Sequence, residues 1–555
     1  MAAESKDGTS PSESVEPIVT TPKKKHPIQF WAIFAALCVL SFICALDASV
    51  IAVALPTITR DIGGATKYVW IANSFVIAST VPQPLYGQVA NVFGRRIPFI
   101  SAILLFILGS GIAGGASNPA MLIGGRLVQG LGAGGIYVLN DIVCCDLVPQ
   151  RERGKYLGLM FSWSGVGAAV GPVIGGSLAD ANWRWIFYMN LPICALPLMI
   201  TVGFFQTNAG AKVTNPVSKL FKLDYLGSLI FMGSMVSILL GLVRGGVEQP
   251  WSSWKIILPL VLGIVGWIAF HVHQTFFTNI PSVPSRLFKN RTSATAHVLT
   301  LFSSITIQSM IYFIPLYFQA VLGTSVLESG LNFLPFAIGT LAFAVLSGIL
   351  LSVFGTYRPI HASGFGIGAI SFGVLTLLGR STSKVAWVFI EIVSSMGQGL
   401  VLSVLLPAIL ASLPESDVAA ATATFSFIRS FGYVWGVTIA SIIFNAFVDQ
   451  NLYMVDDPIL RDQLSDGAAY AFASQAHSAR DSVPPSIWDQ VLQVYIIGLK
   501  AVWWFGLAVS LVAFLAVWLE EGLELRKDLE TDDARVSVQS IPELRCGGLT
   551  VKAAL

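Results

Sequence analysis

The chain has 555 residues, 54% of them hydrophobic and 12% charged, with a net charge of +2 at pH 7. A soluble domain carries about 25% charged residues, so this composition excludes a water-soluble globular protein and reads as a polytopic membrane protein. No basic tract points to nucleic acid. The six cysteines (Cys38, Cys44, Cys144, Cys145, Cys194 and Cys546) lie mostly in apolar segments, a pattern of neither a disulfide framework nor a metal site.

Residues 1–27 are expected to form a disordered cytosolic tail, rich in Ser, Glu, Pro and Thr near its start and ending in Lys23-Lys24-Lys25-His26. An apolar segment from about Ile28 to Leu55 follows. It is too long for a signal-peptide core and lacks a small-residue cleavage site. Further apolar segments centre near positions 79, 107, 133, 167, 197, 233, 265, 305, 341, 369, 398, 433 and 506, giving about fourteen spans of roughly 20 residues. An even number puts both termini in the cytosol. Loop charges agree. The inner loops hold Arg95 and Arg96, Arg151, Arg153 and Lys155, Lys212, Lys219 and Lys222, Arg286, Lys289 and Arg291, and Arg358. The outer loops hold singles such as Lys67, Arg184, Lys255 and Lys384. The sequon Asn290-Arg291-Thr292 falls inside and is expected to be unmodified. Residues 449–490, with Pro484-Pro485, are too polar to span, and residues 520–555 read as a charged, flexible tail.

Three motifs recur in order at a displacement of about 265 residues. Gly87-x-x-x-x-Val92-Phe93-Gly94 returns as Gly348-x-x-x-x-Val353-Phe354-Gly355, Gln129-Gly130-Leu131 as Gln398-Gly399-Leu400, and Gly167-x-x-x-Gly171 as Gly432-x-x-x-Gly436. Collinear repeats of this kind imply two homologous six-helix halves, typical of one large transporter class. The spans near 233 and 265 then fall between the halves as an insertion.

The turn after the second span, Gly87-Gln88-Val89-Ala90-Asn91-Val92-Phe93-Gly94-Arg95-Arg96, resembles the Gly-x-x-x-Asp-x-x-Gly-Arg-Arg/Lys loop signature of the major facilitator superfamily. Gly87, Gly94, Arg95 and Arg96 match; Asn91 replaces the aspartate that in the family latches a neighbouring helix end, which implies a latch served by a neutral amide. The fourth span matches the family's Arg-x-x-Gln-Gly-x-Gly pattern at Arg126, Gln129, Gly130 and Gly132. The fifth matches its antiporter signature at Gly167, Gly171, Pro172, Gly175 and Gly176, which the family associates with exporters driven by proton antiport. Spaced glycines allow close helix crossing, and proline leaves a carbonyl unpaired. Leu46-Asp47-Ala48-Ser49-Val50-Ile51-Ala52-Val53-Ala54-Leu55-Pro56 resembles the signature of the fourteen-span drug:proton antiporter branch, with Ser49 and Ala52 in place of the usual threonine and asparagine. Trp183 to Pro192 and Tyr312-x-x-Pro315-Leu316-Tyr317-Phe318-Gln319 fit the same branch, which makes Tyr312, Tyr317 and Gln319 candidates for the substrate cavity. The resemblance covers about residues 28–520 and extends to fungal exporters of toxins and other secondary metabolites.

Ionisable residues inside spans are costly and mark functional pathways. Asp47 lies about 17 residues into a span leaving the cytosol, roughly 25 Å up, and Arg126 about 7 residues into one entering from outside, roughly 10 Å down. Both fall in the outer third of a layer about 30 Å thick, where they can pair. Glu391 lies at similar depth in its span and Arg429 nearer the middle of the next. These four are the candidate proton- or substrate-coupling residues. Gly130-x-Gly132-x-x-Gly135 spells a dinucleotide fingerprint, but it sits in an apolar helix with no strand before it. No Gly-x-x-x-x-Gly-Lys-Ser/Thr loop occurs, so the proton gradient, not ATP, is the expected energy source, and no cofactor or metal is expected. His271 and His273 are expected to be solvated at an inner helix end.

The expectation is an all-α major facilitator fold: an N-terminal bundle (28–206), two linker helices (207–280), and a C-terminal bundle (281–519) with an outer loop at 449–490. A non-enzymatic monomer in the plasma membrane would exchange protons for a small amphipathic organic compound. A vacuolar membrane, an importer of a nutrient or iron chelate, and a non-transporting receptor are the alternatives.

Overall fold

The computed structural model describes residues 27–62, 68–204, 223–245, 249–278, 281–465, 467–473, 480 and 483–526. Expectations for the N-terminal tail, for Lys67, Lys212, Lys219 and Lys222, and for residues 527–555 with Cys546 lie outside the described residues. The α-helices are α1 (Ile28–Ile62), α2 (Tyr68–Thr80), α3 (Gln83–Phe93), α4 (Arg96–Gly114), α5 (Pro119–Leu147), α6 (Gln150–Asn182), α7 (Trp185–Tyr188), α8 (Asn190–Phe204), α9 (Tyr225–Arg244), α10 (Trp254–Phe276), α11 (Arg291–Ala320), α12 (Val326–Asn332), α13 (Leu334–Phe354), α14 (Arg358–Leu375), α15 (Lys384–Leu402), α16 (Leu405–Ala411), α17 (Val418–Asn451), α18 (Pro458–Leu464), α19 (Ala469–Phe472) and α20 (Pro485–Ala516).

Twelve helical stretches among the described residues are long and apolar enough to cross a membrane. The other two expected spans are helical too, and fall short for local reasons. Near position 79 the chain turns at Val81-Pro82 and divides into α2 and α3, of 13 and 11 residues; Pro82 and Pro84 remove N–H donors where α2 would continue. α14 has 18 residues, and Arg358, His361 and its glycines dilute its hydropathy. Local chemistry sets the starts. Asn118 caps α5 by accepting from Met121 N at 2.9 Å, and Asn290, the sequon asparagine, caps α11 by accepting from Thr292 N at 2.8 Å.

α1 to α8 pack as one bundle and α11 to α20 as a second, while α9 and α10 pair with each other. Val261, Leu262, Val265 and Ile268 of α10 stay exposed, as befits a peripheral helix facing lipid. The repeated motifs land in matching places. Gly167 and Gly171 press α6 onto α1 between Phe42 and Val50, and Gly432 and Gly436 press α17 onto α11 between Leu301 and Gln308. Gly130 faces Phe75 and Ala78 of α2, and Gly399 faces Thr340 and Phe343 of α13. Each glycine sets a crossing distance, because a Cβ there would overlap the neighbouring helix.

The halves meet at the arginine-rich end. Gly87 faces Ala419 and Ala423 of α17, while Gly348 faces the backbone of Gly154 and Lys155 in α6. Arg151 donates through Nε to Ser352 O at 2.7 Å, and Arg153 pairs with Glu415 at 3.3 Å. This end is closed. Two expectations need correction here. His273 is not simply solvated: its Nε2 lies 2.9 Å from Asp224 Oδ1, and with Gln274, which also bonds Asp224, it fastens the α9–α10 hairpin. Residues 520–526 are not a free tail. Glu520 and Leu525 are buried, because His361, the hydroxyls of Thr292 and Tyr357 and the Gly355 carbonyl receive this segment where the sequence shows only charge.

Candidate functional site

Asp47 is 1% exposed and so is Arg126. Asp47 sits on α1 where the α6 glycines hold that helix close: Gly171 lies against Ser49 and Val50, and Gly175 against Val50 O. Arg126 Nη1 donates to Asp47 Oδ2 and also to Gln129 Oε1 at 2.8 Å. Gln129 Nε2 and Asn190 Nδ2 each donate to Asp47 Oδ1 at 2.8 Å. Ser110 Oγ on α4 accepts from Gln129 Nε2 at 2.8 Å and from Asn190 Nδ2 at 3.2 Å. The guanidinium lies 4.3 Å from the Phe75 ring centroid and 5.9 Å from that of Phe187. The network thus ties α1, α4, α5 and α8 together inside the N-terminal bundle. Asp47 accepts three hydrogen bonds, one on Oδ2 and two on Oδ1, from the four acceptor sites that a carboxylate offers.

Arg429 lies elsewhere, on the face of α17 turned to the other half. Its Nη2 reaches Asp141 Oδ2 of α5 at 3.2 Å, Ser426 Oγ donates to the same oxygen at 3.1 Å, and the rings of Phe161 and Phe425 each lie 4.9 Å from the guanidinium. Arg429 is 12% exposed and borders a void shared with Thr300, Ser303, Ser304, Leu402 and Tyr433. Glu391 joins neither group. It is buried on α15, and among the described residues neither oxygen lies within hydrogen-bonding geometry of a partner.

The loop signature works differently from the expectation. Asn91 is exposed, and its side chain makes no hydrogen bond among the described residues. Arg95 makes the contact with the neighbouring helix end instead, donating from Nε to Asp146 Oδ2 at the end of α5 at 2.8 Å. Gly94, at φ 82°, permits the turn that aims it. Arg96 donates to Val202 O at 2.8 Å. Gly176 is half-buried on α6; the Pro172 side chain lies outside the described residues. Of the cavity candidates, Tyr312 is 39% exposed. Tyr317 is buried and donates its hydroxyl to Gly379 O at 3.0 Å, and Gln319 donates to Ser329 Oγ at 3.3 Å. Sequence reasoning missed Ser110, Asp141, Asp146 and Asn190. An acid fifteen residues beyond Arg126 on the same apolar helix was a readable signal for Asp141; Ser110 and Asn190 carried none by themselves.

A model of the Major Facilitator Superfamily matches residues 37–437. The chain is 43% identical to the MFS efflux transporter aclA of Aspergillus oryzae, covering 91% of each chain. It is 41% identical to the efflux pump FUS6 of Gibberella fujikuroi, covering 96% of each chain. The fold is similar to the human organic anion transporter MFSD10 (TM-score 0.56, 13% identity, 89% of this chain and 100% of that one). It is also similar to the proton:xylose symporter XylE (TM-score 0.52, 16% identity, 88% and 95%). The chain is therefore a multi-pass membrane transporter, not an enzyme, and it belongs to the major facilitator superfamily.

Proposed function

We propose that the chain exports an amphipathic organic compound, of the secondary-metabolite or toxin kind, in exchange for protons across the plasma membrane, with both termini cytosolic. The burial of Asp47 beneath Arg126, Gln129 and Asn190, on the helix clasped by the α6 glycines, carries this reading; the efflux names of the relatives support its direction. A proton on Asp47 removes the charge that holds Arg126. The Gln129 and Asn190 bonds to Oδ1 then rearrange, and α1 is freed to shift along the glycine face of α6. α6 also touches the other half, where Gly158 faces Ala344 and Gly165 faces Leu341 of α13, so a shift of α1 is passed across the interface. The mixed lining beside Arg429, three hydroxyl residues with Leu402 and Tyr433, suits a cargo with both polar and apolar parts. The closed arginine-rich end is then the cytosolic gate, shut after release of cargo outside.

Deletion of the chain in its host, with metabolite profiling inside and outside the cell, identifies the cargo. Purified protein in proteoliposomes is then loaded with that compound under an imposed pH gradient. Cargo leaving the side that corresponds to the arginine-rich end, with protons moving the opposite way, is the expected result. Uptake in the same direction as protons, or binding without flux, overturns it.

A further inference from the structure

The segment after α20 lies across the gate rather than away from it, and its two ends hold different halves. Its base is fixed to the C-terminal half. The Glu520 carboxylate lies 2.9 and 3.1 Å from His361 Nδ1, and both side chains are fully buried. Glu521 N donates to Thr292 Oγ1 at 3.0 Å, its carbonyl accepts from the Tyr357 hydroxyl, and its carboxylate meets Arg291 Nε at 2.6 Å. Leu523 N donates to Tyr357 Oη at 3.4 Å and Leu525 N to Gly355 O at 3.0 Å. The tip reaches the N-terminal half. Arg526 O accepts from Arg151 N at 3.2 Å, and Glu524 lies 3.9 Å from Arg151 Nη1. Between base and tip the Leu525 side chain is 2% exposed.

Arg151 is thereby held twice from the C-terminal half. Its guanidinium donates to the Ser352 and Val353 carbonyls at the end of α13, and its backbone N–H at the start of α6 is taken by the strap. An N–H in the first turn of a helix has no partner within the helix, so the strap supplies an acceptor that is lost whenever the halves part. The Leu525 side chain adds burial that must also be undone. The base needs no change for the gate to open; the tip must let go.

We infer that Glu520–Arg526 is an intramolecular latch that holds the arginine-rich gate shut and sets how readily it opens. This rests on the exporter reading above, since a latch matters only where the halves rock. The test is a distance measurement that does not involve flux. Spin labels go on the exposed residues Lys155 of α6 and Val353 of α13, through Lys155→Cys and Val353→Cys. Cys546→Ser removes the cysteine of the tail, and the five others are buried.

Two truncations of the full-length protein in nanodiscs are compared. A chain ending at Arg526 keeps the strap and is expected to give the single short distance of the full chain. A chain ending at Leu519 is expected to raise the ratio of long to short distances about tenfold, the effect of losing one or two net hydrogen bonds. Leu525→Asp in the full chain guards against misfolding of the truncation and is expected to shift the ratio in the same sense. Identical distributions in all of these proteins overturn the latch while leaving the exporter reading intact. A full shift in the chain ending at Arg526 overturns it too, because the strap would then not be the part that holds.

Discussion

The buried pair of Asp47 and Arg126 can be made to reveal whether it is a structural clasp or a coupling device. Asp47→Asn keeps the shape but removes the charge. Arg126 then remains, 1% exposed, with Gln129 Oε1 and two aromatic rings as its remaining partners. The new amide also presents two N–H donors toward a site already filled by the donors of Arg126, Gln129 and Asn190. Removing one partner of a buried pair costs about 3–5 kcal/mol, so this variant should unfold at distinctly lower temperature in detergent. Replacing both partners by neutral residues of similar volume is often neutral or stabilising, so Asp47→Asn with Arg126→Met should recover most of the loss. Transport then separates the roles. If the pair couples protons to movement, the double variant is stable yet exports nothing against a pH gradient. Wild-type export by the stable double variant would refute the coupling role and leave the pair a structural clasp.

Gly348→Val puts side-chain atoms into the Gly154 backbone and should penalise the closed arginine-rich end by about 1–3 kcal/mol; gate-distance measurements should shift open, while Gly111→Ala, with nothing within 4 Å, changes nothing. Glu391→Leu removes a buried carboxyl that has no hydrogen-bonding partner among the described residues and should raise the thermal midpoint, since an unsatisfied buried polar group costs about 1–3 kcal/mol; unchanged flux in this variant would remove Glu391 from the proton path. Burial pushes the Tyr357 hydroxyl up to about 12. Because the folded value lies above the ordinary phenol value of about 10, this group's stabilisation of the strap is complete below about pH 10 and is lost as pH rises towards about 12. Hydrogen exchange at Leu523 across that range checks it, and loss of protection near neutral pH would contradict it.

Much of this architecture was legible because it rests on period and glycine spacing. The paired motifs around Gly87 and Gly348, and around Gly167 and Gly432, announced two halves, and each glycine meets a helix backbone where the repeat requires one. Asp47 and Arg126 were readable as partners from depth alone, since lipid leaves few places for a charge. What resisted reading depends on contacts distant in sequence. Nothing near Glu520 says that His361 awaits it. The side chain of Asn91 stays exposed, and the pairing of Arg95 with Asp146 needed the end of α5 brought beside the turn. The cavity candidates Tyr317 and Gln319 fit a motif, but which way their polar atoms point is set by a turn at Gly379 and by Ser329 in the middle of the short helix α12.

The two halves match in backbone and differ in charge, and under the proposed proton exchange that difference gives them separate work. The α17 glycines meet α11 in the same register as the α6 glycines meet α1, so Thr306 occupies the place of Asp47. Gln398 repeats Gln129, and Thr306 donates to Gln398 Oε1 at 3.3 Å, echoing the bond from Gln129 to Asp47. Ser395, three residues before Gln398, stands where Arg126 precedes Gln129. The C-terminal half has therefore kept the amide and replaced both charges with hydroxyls. A buried threonine and serine cost little to desolvate and titrate nowhere near physiological pH, so this crossing can pack but cannot load a proton. On this logic, moving the acid by combining Asp47→Thr with Thr306→Asp should fail to restore export. The relocated carboxylate would meet Gln398 but no arginine, and would resist ionisation without the charge partner that Arg126 provides. Proton-driven export by that swapped protein would show the halves to be interchangeable and would undo the assignment of coupling to the N-terminal bundle.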